Sequence, residues 1–151
     1  MKKIIHLFIF LFLISAIGYS TTKTEPITNG IENIVINKLE SFIKEKKFLA
    51  DEVLMYPGIA SKPLKTKLTD LINESGKEFM QIASSSPSDE NYQSKIKAGL
   101  DRFNPYFSEL SSEDLDRVYH YYEQLIEIVG LKNPGSYLKT WRYGSSPSAK
   151  K

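Results

Sequence analysis

The chain has 151 residues, a length typical of one domain, and carries 20 Lys and Arg against 18 Asp and Glu, for a formal net charge of +2. It contains no cysteine, which excludes thiol catalysis, thiolate metal sites and a disulfide framework. Lys2 and Lys3 belong to the N-terminal segment described next, and without them acids and bases are equal in number. A neutral domain without a basic, aromatic-studded stripe argues against nucleic-acid binding.

The N-terminus has the pattern of a secretory signal peptide. Lys2 and Lys3 precede an apolar run at residues 4–18, and small residues follow at the spacing that a signal peptidase recognises. The run is shorter than the ~20 apolar residues needed to span a bilayer. We therefore predict a signal peptide at residues 1–20, a polar linker at residues 21–28, and export to the periplasm or out of the cell. An uncleaved membrane anchor is the alternative.

The first helix is predicted at residues 29–47, where apolar residues recur at helical spacing. Residues 48–60 show no clear period, and we expect an irregular, partly buried connection there. Within it Tyr56-Pro57-Gly58 is a turn signal, because proline presets φ at one position and glycine accepts positive φ at the next. We expect this turn to be structural, although an exposed rigid turn with Met55 and Ile59 beside it could also be recognised by another protein.

The second helix is predicted at residues 63–83, with Gly76 as a point where it can bend or break. A third helix follows a serine-rich loop, and Ser86 is its expected N-terminal cap. Asn104-Pro105 ends this helix, because the residue before a proline is pushed out of the helical region.

The fourth helix is predicted to open at residues 111–112 with an acidic first turn and to close at Gly130. A short fifth helix ends at Gly144 and carries Trp141, which we expect to seal one end of a bundle. Residues 145–151 have nothing to bury and are predicted to be a disordered tail. No segment alternates as a strand. The sequence thus predicts an all-α protein built as a single bundle of about five helices.

The fourth helix sets four ring-bearing residues in a row, Tyr119, His120, Tyr121 and Tyr122. At 100° per residue, Tyr119 and Tyr122 fall on the main apolar stripe, and Tyr121 lies on a flanking strip. His120, by contrast, points almost opposite the main stripe and toward water. We therefore interpret the tyrosines as packing residues and the histidine as a solvated residue on an acidic helix face.

A catalytic interpretation of His120 is the alternative. As a proton carrier it would have Asp116 and Glu123 close enough on the same helix to hold its charge. However, no nucleophile or substrate-holding element accompanies it, and the chain's neighbouring carboxylates occupy positions where acids cap helices. The sequence also has no calcium-loop, zinc or phosphate-binding motif. We expect a protein that is not an enzyme and uses no metal or cofactor.

Three stretches resemble a known bacterial family. They are MYPGI, RFNPYFSEL and DLDRVYHYYEQLIEIVGLKNPGSYLKTWRYG, and they look like the family named domain of unknown function 4844. The resemblance covers residues 29–144, the predicted helical domain, and its last block is the most specific part. It implies a small helical bacterial domain with no established activity, so no site residues follow from it.

The leading functional hypothesis is a non-enzymatic interaction module, such as an inhibitor, immunity-type protein or adaptor. Its expected contact residues are on the acidic face of the fourth helix, which would favour a basic protein partner. They are Asp116, His120, Glu123 and Glu127.

A carrier of a small apolar or amphipathic ligand is the first alternative, with an inter-helix cavity lined by Tyr92, Phe103, Tyr119 and Tyr122. A small hydrolase using His120 is the weakest of the three hypotheses. We expect no nucleic acid as partner, and a membrane only through an uncleaved signal.

Overall fold

The structure is a computed structural model that describes residues 27–144. The predicted signal peptide, nearly all of the predicted linker and the predicted tail lie outside the described residues. Five α-helices and one short 3-10 helix follow one another along the chain: α1 (Ile27–Lys44), α2 (Lys62–Ser85), α3 (Asp89–Asp101), the 3-10 helix (Asn104–Tyr106), α4 (Ser112–Val129) and α5 (Tyr137–Tyr143). The predicted all-α bundle of five helices is therefore confirmed.

The longest helix, α2, lies at the centre of the bundle. It packs against α1, α3 and α4, and α5 closes the remaining side by packing on α3 and α4. The core consists of buried apolar side chains, most of them at helical spacing. Each fully enclosed one contributes roughly 1.5–3 kcal/mol through removal from water. Its fully enclosed members are Leu39, Phe48, Leu68, Ile72, Phe79, Ile96, Leu100, Phe103, Val118, Tyr122 and Leu125. Within residues 27–144, no helix is both long and apolar enough to cross a membrane.

Gly76 does not interrupt α2. The glycine faces α1, and a Cβ atom at this position would lie 2.9 Å from Cγ1 of Ile43. The missing side chain therefore lets the two helices approach closely, and its cost in helix propensity is offset by the packing that it permits. The break that Gly76 could have caused is absent, because α2 is one continuous helix through this position.

Several helix boundaries differ from prediction: α1 begins at Ile27 instead of residue 29, and α2 runs from Lys62 to Ser85 instead of residues 63–83. The first helix ends at Lys44 instead of residue 47, and beyond it the buried ammonium of Lys47 donates to the carbonyl of Phe42, one of the last carbonyls of α1. The third helix begins at Asp89, because Ser88 and not Ser86 caps it by accepting from the N–H of Asn91 at 3.2 Å.

The ends of α4 follow the sequence prediction. Ser111 and Asp114 form a reciprocal capping box, in which each side chain accepts from the other residue's backbone N–H. At the other end Gly130 has φ +66, and the N–H of Leu131 donates to the carbonyl of Ile126 at 3.0 Å. Trp141 in α5 is buried against Phe103, so it seals one end of the bundle as expected.

The connection between α1 and α2 is a hairpin formed by residues 48–59. Asp51 and Tyr56 exchange two backbone hydrogen bonds of 2.8 and 2.9 Å, and the N–H of Ile59 donates to the carbonyl of Phe48 at 3.2 Å. The turn is therefore at residues 52–55, not at Tyr56-Pro57-Gly58 as predicted. Gly58, with φ +78, instead lies close to the other arm of the hairpin. A Cβ atom there would be 2.7 Å from the amide nitrogen of residue 50.

Candidate interaction surface

The aromatic row of α4 divides between the core and the surface. Tyr121 and Tyr122 are buried, whereas Tyr119 and His120 are half-buried. Tyr122 was correctly predicted as a core residue. Tyr119 was expected beside it but lies at the edge of the bundle, where its ring packs 5.5 Å from that of Tyr143. Tyr121 is more buried than its flanking position suggested, because the hairpin of residues 48–59 covers it.

His120 points outward, as predicted. Its side chain is 45% exposed, and Nδ1 lies 2.8 Å from a carboxylate oxygen of Glu123, three residues further along the same helix. The imidazole therefore contacts a carboxylate of its own helix face. This is the arrangement expected of a solvated histidine among acids, and it does not resemble a catalytic pair held between different elements.

Asp116 is already engaged by another helix. Its carboxylate accepts from Nε of Arg142 in α5 at 2.5 Å, and the same guanidinium donates to Oγ of Ser112 at 2.9 Å. The hydrogen bond from Arg142 holds the pKa of Asp116 below its usual range, with partial desolvation acting in the opposite direction. The pair fastens α5 to the first half of α4, and it neutralises one of the four residues predicted to bind a partner.

The outer face of α4 nevertheless keeps a line of acids. At 100° per residue, five positions fall within an arc of about 80° opposite the core. We call these the acidic strip: Glu113, Asp116, His120, Glu123 and Glu127. Glu113 and Glu127 make no ion pair with another described residue, and the partner of Glu123 is His120 in the strip itself.

Two hollows flank the acidic strip. The first, of about 320 Å³, lies between α4, α5 and the hairpin, and Asp116, His120 and Tyr143 are among its lining residues. The second, of about 450 Å³, has an apolar floor that includes Leu138 and a rim that includes Glu123 and Glu127. The four predicted partner-binding residues thus divide evenly between two neighbouring hollows on one side of the bundle.

The hairpin presents an apolar turn next to the first hollow. We use this name for residues 51–56, whose tip carries Val53, Leu54 and Met55. Val53 is 91% exposed and Met55 is 86% exposed, and Leu54 lines the hollow itself. The sequence predicted an irregular, partly buried connection for this stretch, whereas its tip is exposed.

Two contacts with α4 hold the apolar turn in place. The Asp51 carboxylate accepts from Nη1 of Arg117 at 3.0 Å, and the hydroxyl of Tyr56 donates to Asp114 at 2.7 Å. The backbone N–H groups of residues 53 and 54 also donate to Oδ1 of Asp51. Burial, followed by the hydrogen bond to Asp114, raises the pKa of Tyr56, so the phenol stays protonated and keeps donating.

The residues predicted to line a ligand cavity pack against different side chains. The ring of Tyr92 lies 5.1 Å from that of Phe79, and the ring of Phe103 lies 6.3 Å from that of Trp141. The hydroxyl of Tyr122 is 2.8 Å from Oγ of Ser75. Protein atoms therefore occupy the space around these three rings, and Tyr119 is the member of the set that lines one of the two hollows.

A buried polar cluster joins α2, α3 and α4, and the sequence reasoning missed it. Ser75 is fully enclosed and hydrogen-bonds to Tyr122, while the Arg102 guanidinium donates to Glu78 at 2.6 Å and to Ser75 at 3.3 Å. The available signal was a serine directly on the apolar stripe of α2. Because Ser75 has no exposed surface, its hydrogen bonds serve the packing of the three helices.

No three His, Asp or Glu side chains in the part of the chain that the structure describes lie close enough together to hold a metal ion. The candidate surface combines carboxylates, one imidazole and exposed apolar side chains. Its chemistry suits recognition by charge and shape.

Comparison with known proteins gives a family and a fold. The model of a family described as "Domain of unknown function (DUF4844)" matches residues 28–146, which includes the stretches in which the resemblance was seen. A crystal structure of a DUF3571 family protein from Acinetobacter baumannii is similar in fold, with a TM-score of 0.69 and 25% sequence identity. The match covers 76% of this chain and 93% of that chain. No curated protein matches the chain.

Proposed function

We propose that this chain, which belongs to the DUF4844 family, is a non-enzymatic protein-interaction module whose contact surface is the acidic strip together with the apolar turn. The observation that carries the proposal is the position of the turn. Leu54 and His120 line the same hollow, so the exposed apolar tip and the acids of α4 form one continuous surface. Protein interfaces commonly combine an apolar centre with a polar rim in this way.

The charge of the surface favours a basic partner. Asp116 is neutralised by Arg142, so the attraction comes from Glu113, Glu123 and Glu127, which are exposed on the outer face of α4. Acids arranged along one face steer a cationic partner toward that face and raise its association rate. Exposed pairs of this kind contribute more to rate and orientation than to affinity.

The apolar turn supplies the affinity. Val53 and Met55 bury little surface in this chain, so their removal from water remains available to a complex. The contacts of Asp51 with Arg117 and of Tyr56 with Asp114 fix the turn before a partner arrives. A preformed turn loses little conformational entropy on binding, which is the usual advantage of a rigid recognition loop.

The location follows from the N-terminal pattern and is part of the proposal. A signal peptide at residues 1–20 would deliver the domain to the periplasm or the outside of the cell, where an inhibitor, immunity-type protein or adaptor meets secreted partners.

The test is capture of partners from the periplasm of the host with charge-reversed protein. Glu123→Lys combined with Glu127→Lys should lower the yield of each specifically captured protein at least tenfold. The matched control reverses two exposed acids on other helices, Glu32→Lys and Glu90→Lys, and should leave the yield unchanged. Equal capture by both double variants would contradict the proposal.

A carrier of a small amphipathic ligand is the second candidate. The observation in its favour is the second hollow, where Tyr119 and Leu138 supply an apolar floor and two glutamates form the rim. Native mass spectrometry of protein purified from its own host should then show an added mass that Leu138→Arg abolishes. A spectrum of the bare chain alone would rule the carrier out.

A further inference from the structure

The apolar turn is more exposed than a monomer needs. Val53, Leu54 and Met55 follow one another at the tip, and the reciprocal backbone bonds of Asp51 and Tyr56 keep them extended into water. Met55 adopts φ +50, a backbone conformation that non-glycine residues seldom use. Exposed apolar surface commonly marks an interaction site. Three aliphatic side chains on a rigid turn would therefore be expected to bind in an apolar recess of similar size.

A recess of that kind exists elsewhere on the same chain. The hollow at the base of the hairpin has a volume of about 480 Å³, and we call it the lysine hollow. Leu49 and the aliphatic stems of Lys46, Lys62 and Lys65 line it, and Asp70 is the one carboxylate among its lining residues. None of these three lysines makes an ion pair with another residue that the structure describes.

The turn and the lysine hollow are complementary in charge. Glu52 is exposed at the turn and Glu113 lines the hollow beside Leu54, so the tip is apolar and acidic. The recess is apolar and basic. An apolar element with an acidic border fits an apolar hollow with a basic border, because desolvation is favourable at the centre and the charges attract at the rim.

We propose that the occupant of the lysine hollow is the apolar turn of a second copy of this chain. The inference rests on the proposed function, since it takes the turn to be a contact surface, and it names one partner for it. The turn and the hollow belong to the tip and the base of one hairpin, and four residues of extended chain, roughly 13 Å, separate Leu49 from Val53. Two copies related by a two-fold axis therefore form both contacts at once and close into a dimer.

The dimer is expected to be weak. One turn and one hollow on each side bury less than the roughly 800 Å² per partner of a standard stable interface. We expect a dissociation constant on the order of 100 µM, which strengthens as the salt concentration falls. Sedimentation equilibrium between about 10 µM and about 1 mM should show a monomer–dimer equilibrium. Val53→Ser combined with Met55→Ser should weaken it at least tenfold.

A mixing experiment tests the geometry. Glu52→Lys places a lysine opposite the lysine hollow, and Lys62→Glu places a glutamate opposite the acidic turn, so each variant alone should dimerise at least fivefold more weakly. Mixed together, the two variants should form a heterodimer at least as strong as the wild-type dimer, because both turn–hollow contacts then join opposite charges. Lys62 is the first residue of α2, where a glutamate suits the helix N-terminus, so this variant should fold.

The outcomes are separable from those of the proposed function. A chain that stays monomeric at about 1 mM, or a dimer that tolerates the serine variants and shows no rescue on mixing, would overturn the inference. Binding of the turn to anionic lipid vesicles, or cross-linking from residue 55 to a different protein with no dimer present, would do the same. Capture of partners through Glu123 and Glu127 would still stand or fall separately.

Discussion

The hydroxyl of Tyr121 accepts a hydrogen bond from the backbone N–H of Phe48 at 2.8 Å, and both residues are buried. Phe48 has φ +55 and starts the hairpin, so this bond satisfies a backbone donor that has left the helix and cannot reach water. Nε of Arg117 donates to the same hydroxyl at 3.2 Å. One phenol therefore connects α4 to the base of the hairpin.

Tyr121→Phe should destabilise the protein by about 1–3 kcal/mol, because the N–H of Phe48 would remain buried without an acceptor. Urea denaturation followed by circular dichroism measures the change. Tyr119→Phe is the matched control: its ring lies at the surface, and the loss should stay below about 0.5 kcal/mol. Equal effects of the two substitutions would show that the bond to Phe48 contributes nothing specific.

Gly99→Ala should destabilise the fold by about 1–3 kcal/mol or more. The new Cβ atom would lie 2.1 Å from the hydroxyl of Tyr122 and 2.7 Å from Oγ of Ser75, and both atoms are enclosed by the core. Gly30→Ala, in α1, is the control because nothing lies within 4 Å of its Cβ position. That substitution should stabilise the helix slightly through alanine's higher propensity. Thermal unfolding of both variants measures the change in stability. A tolerated Gly99→Ala would mean that α3 can move away from the phenol of Tyr122.

Acid should remove the contribution of the bond between Asp116 and Arg142. Because the hydrogen bond from Arg142 lowers the folded-state pKa of Asp116 from its ordinary value of 3.8, the stabilisation is complete above that value. It is lost as the pH falls through the depressed folded-state pKa. At pH 7 the free energy of unfolding of the wild type should exceed that of Asp116→Asn by about 0.5–1 kcal/mol. This figure is discounted because the Asp116 side chain is 41% exposed. In urea titrations this gap should close as the pH falls through the depressed folded-state pKa of Asp116, and a gap that persists once the carboxyl is protonated would contradict this account.

His120→Gln should change the free energy of unfolding by less than about 0.5 kcal/mol, because the imidazole is half-exposed and contacts a residue of its own helix. Tyr122→Phe, two positions further along, removes a fully buried hydroxyl bonded to Ser75 and should cost about 1 kcal/mol. Chemical denaturation of both variants gives the comparison. A large loss in His120→Gln would mean that the side chain is integral to the fold.

Local signals in the sequence were sufficient for the architecture. Helical spacing identified all five helices, and the serines at residues 111–112 with the acidic turn after them, together with the stop at Gly130, located the ends of α4. Serines flank Pro87 on both sides. Because serine is a favoured N-cap residue at either position, the local sequence could not decide between Ser86 and Ser88. Which serine caps α3 depends on where α2 ends, and tertiary contacts determine that.

The candidate surface was predictable only in part. Composition along α4 pointed to the acidic strip, but the neutralisation of Asp116 by Arg142 joins residues far apart in the chain, and no periodicity reports it. The exposure of the apolar turn was predicted only as an alternative, in the form of an exposed turn beside Met55. Val53 and Met55 have the hydrophobicity of core residues, and their exposure follows from the anchoring of the hairpin on α4.

The contact between Gly99 of α3 and the phenol of Tyr122 has a consequence for how the sequence can diverge. Ser75, Gly99 and Tyr122 come from three helices and fill one volume, so a larger side chain at position 99 is tolerated only if position 122 becomes smaller. In related sequences these positions should therefore change in concert. A library randomised at the three sites and sorted for folded protein should return compensated combinations and few single replacements.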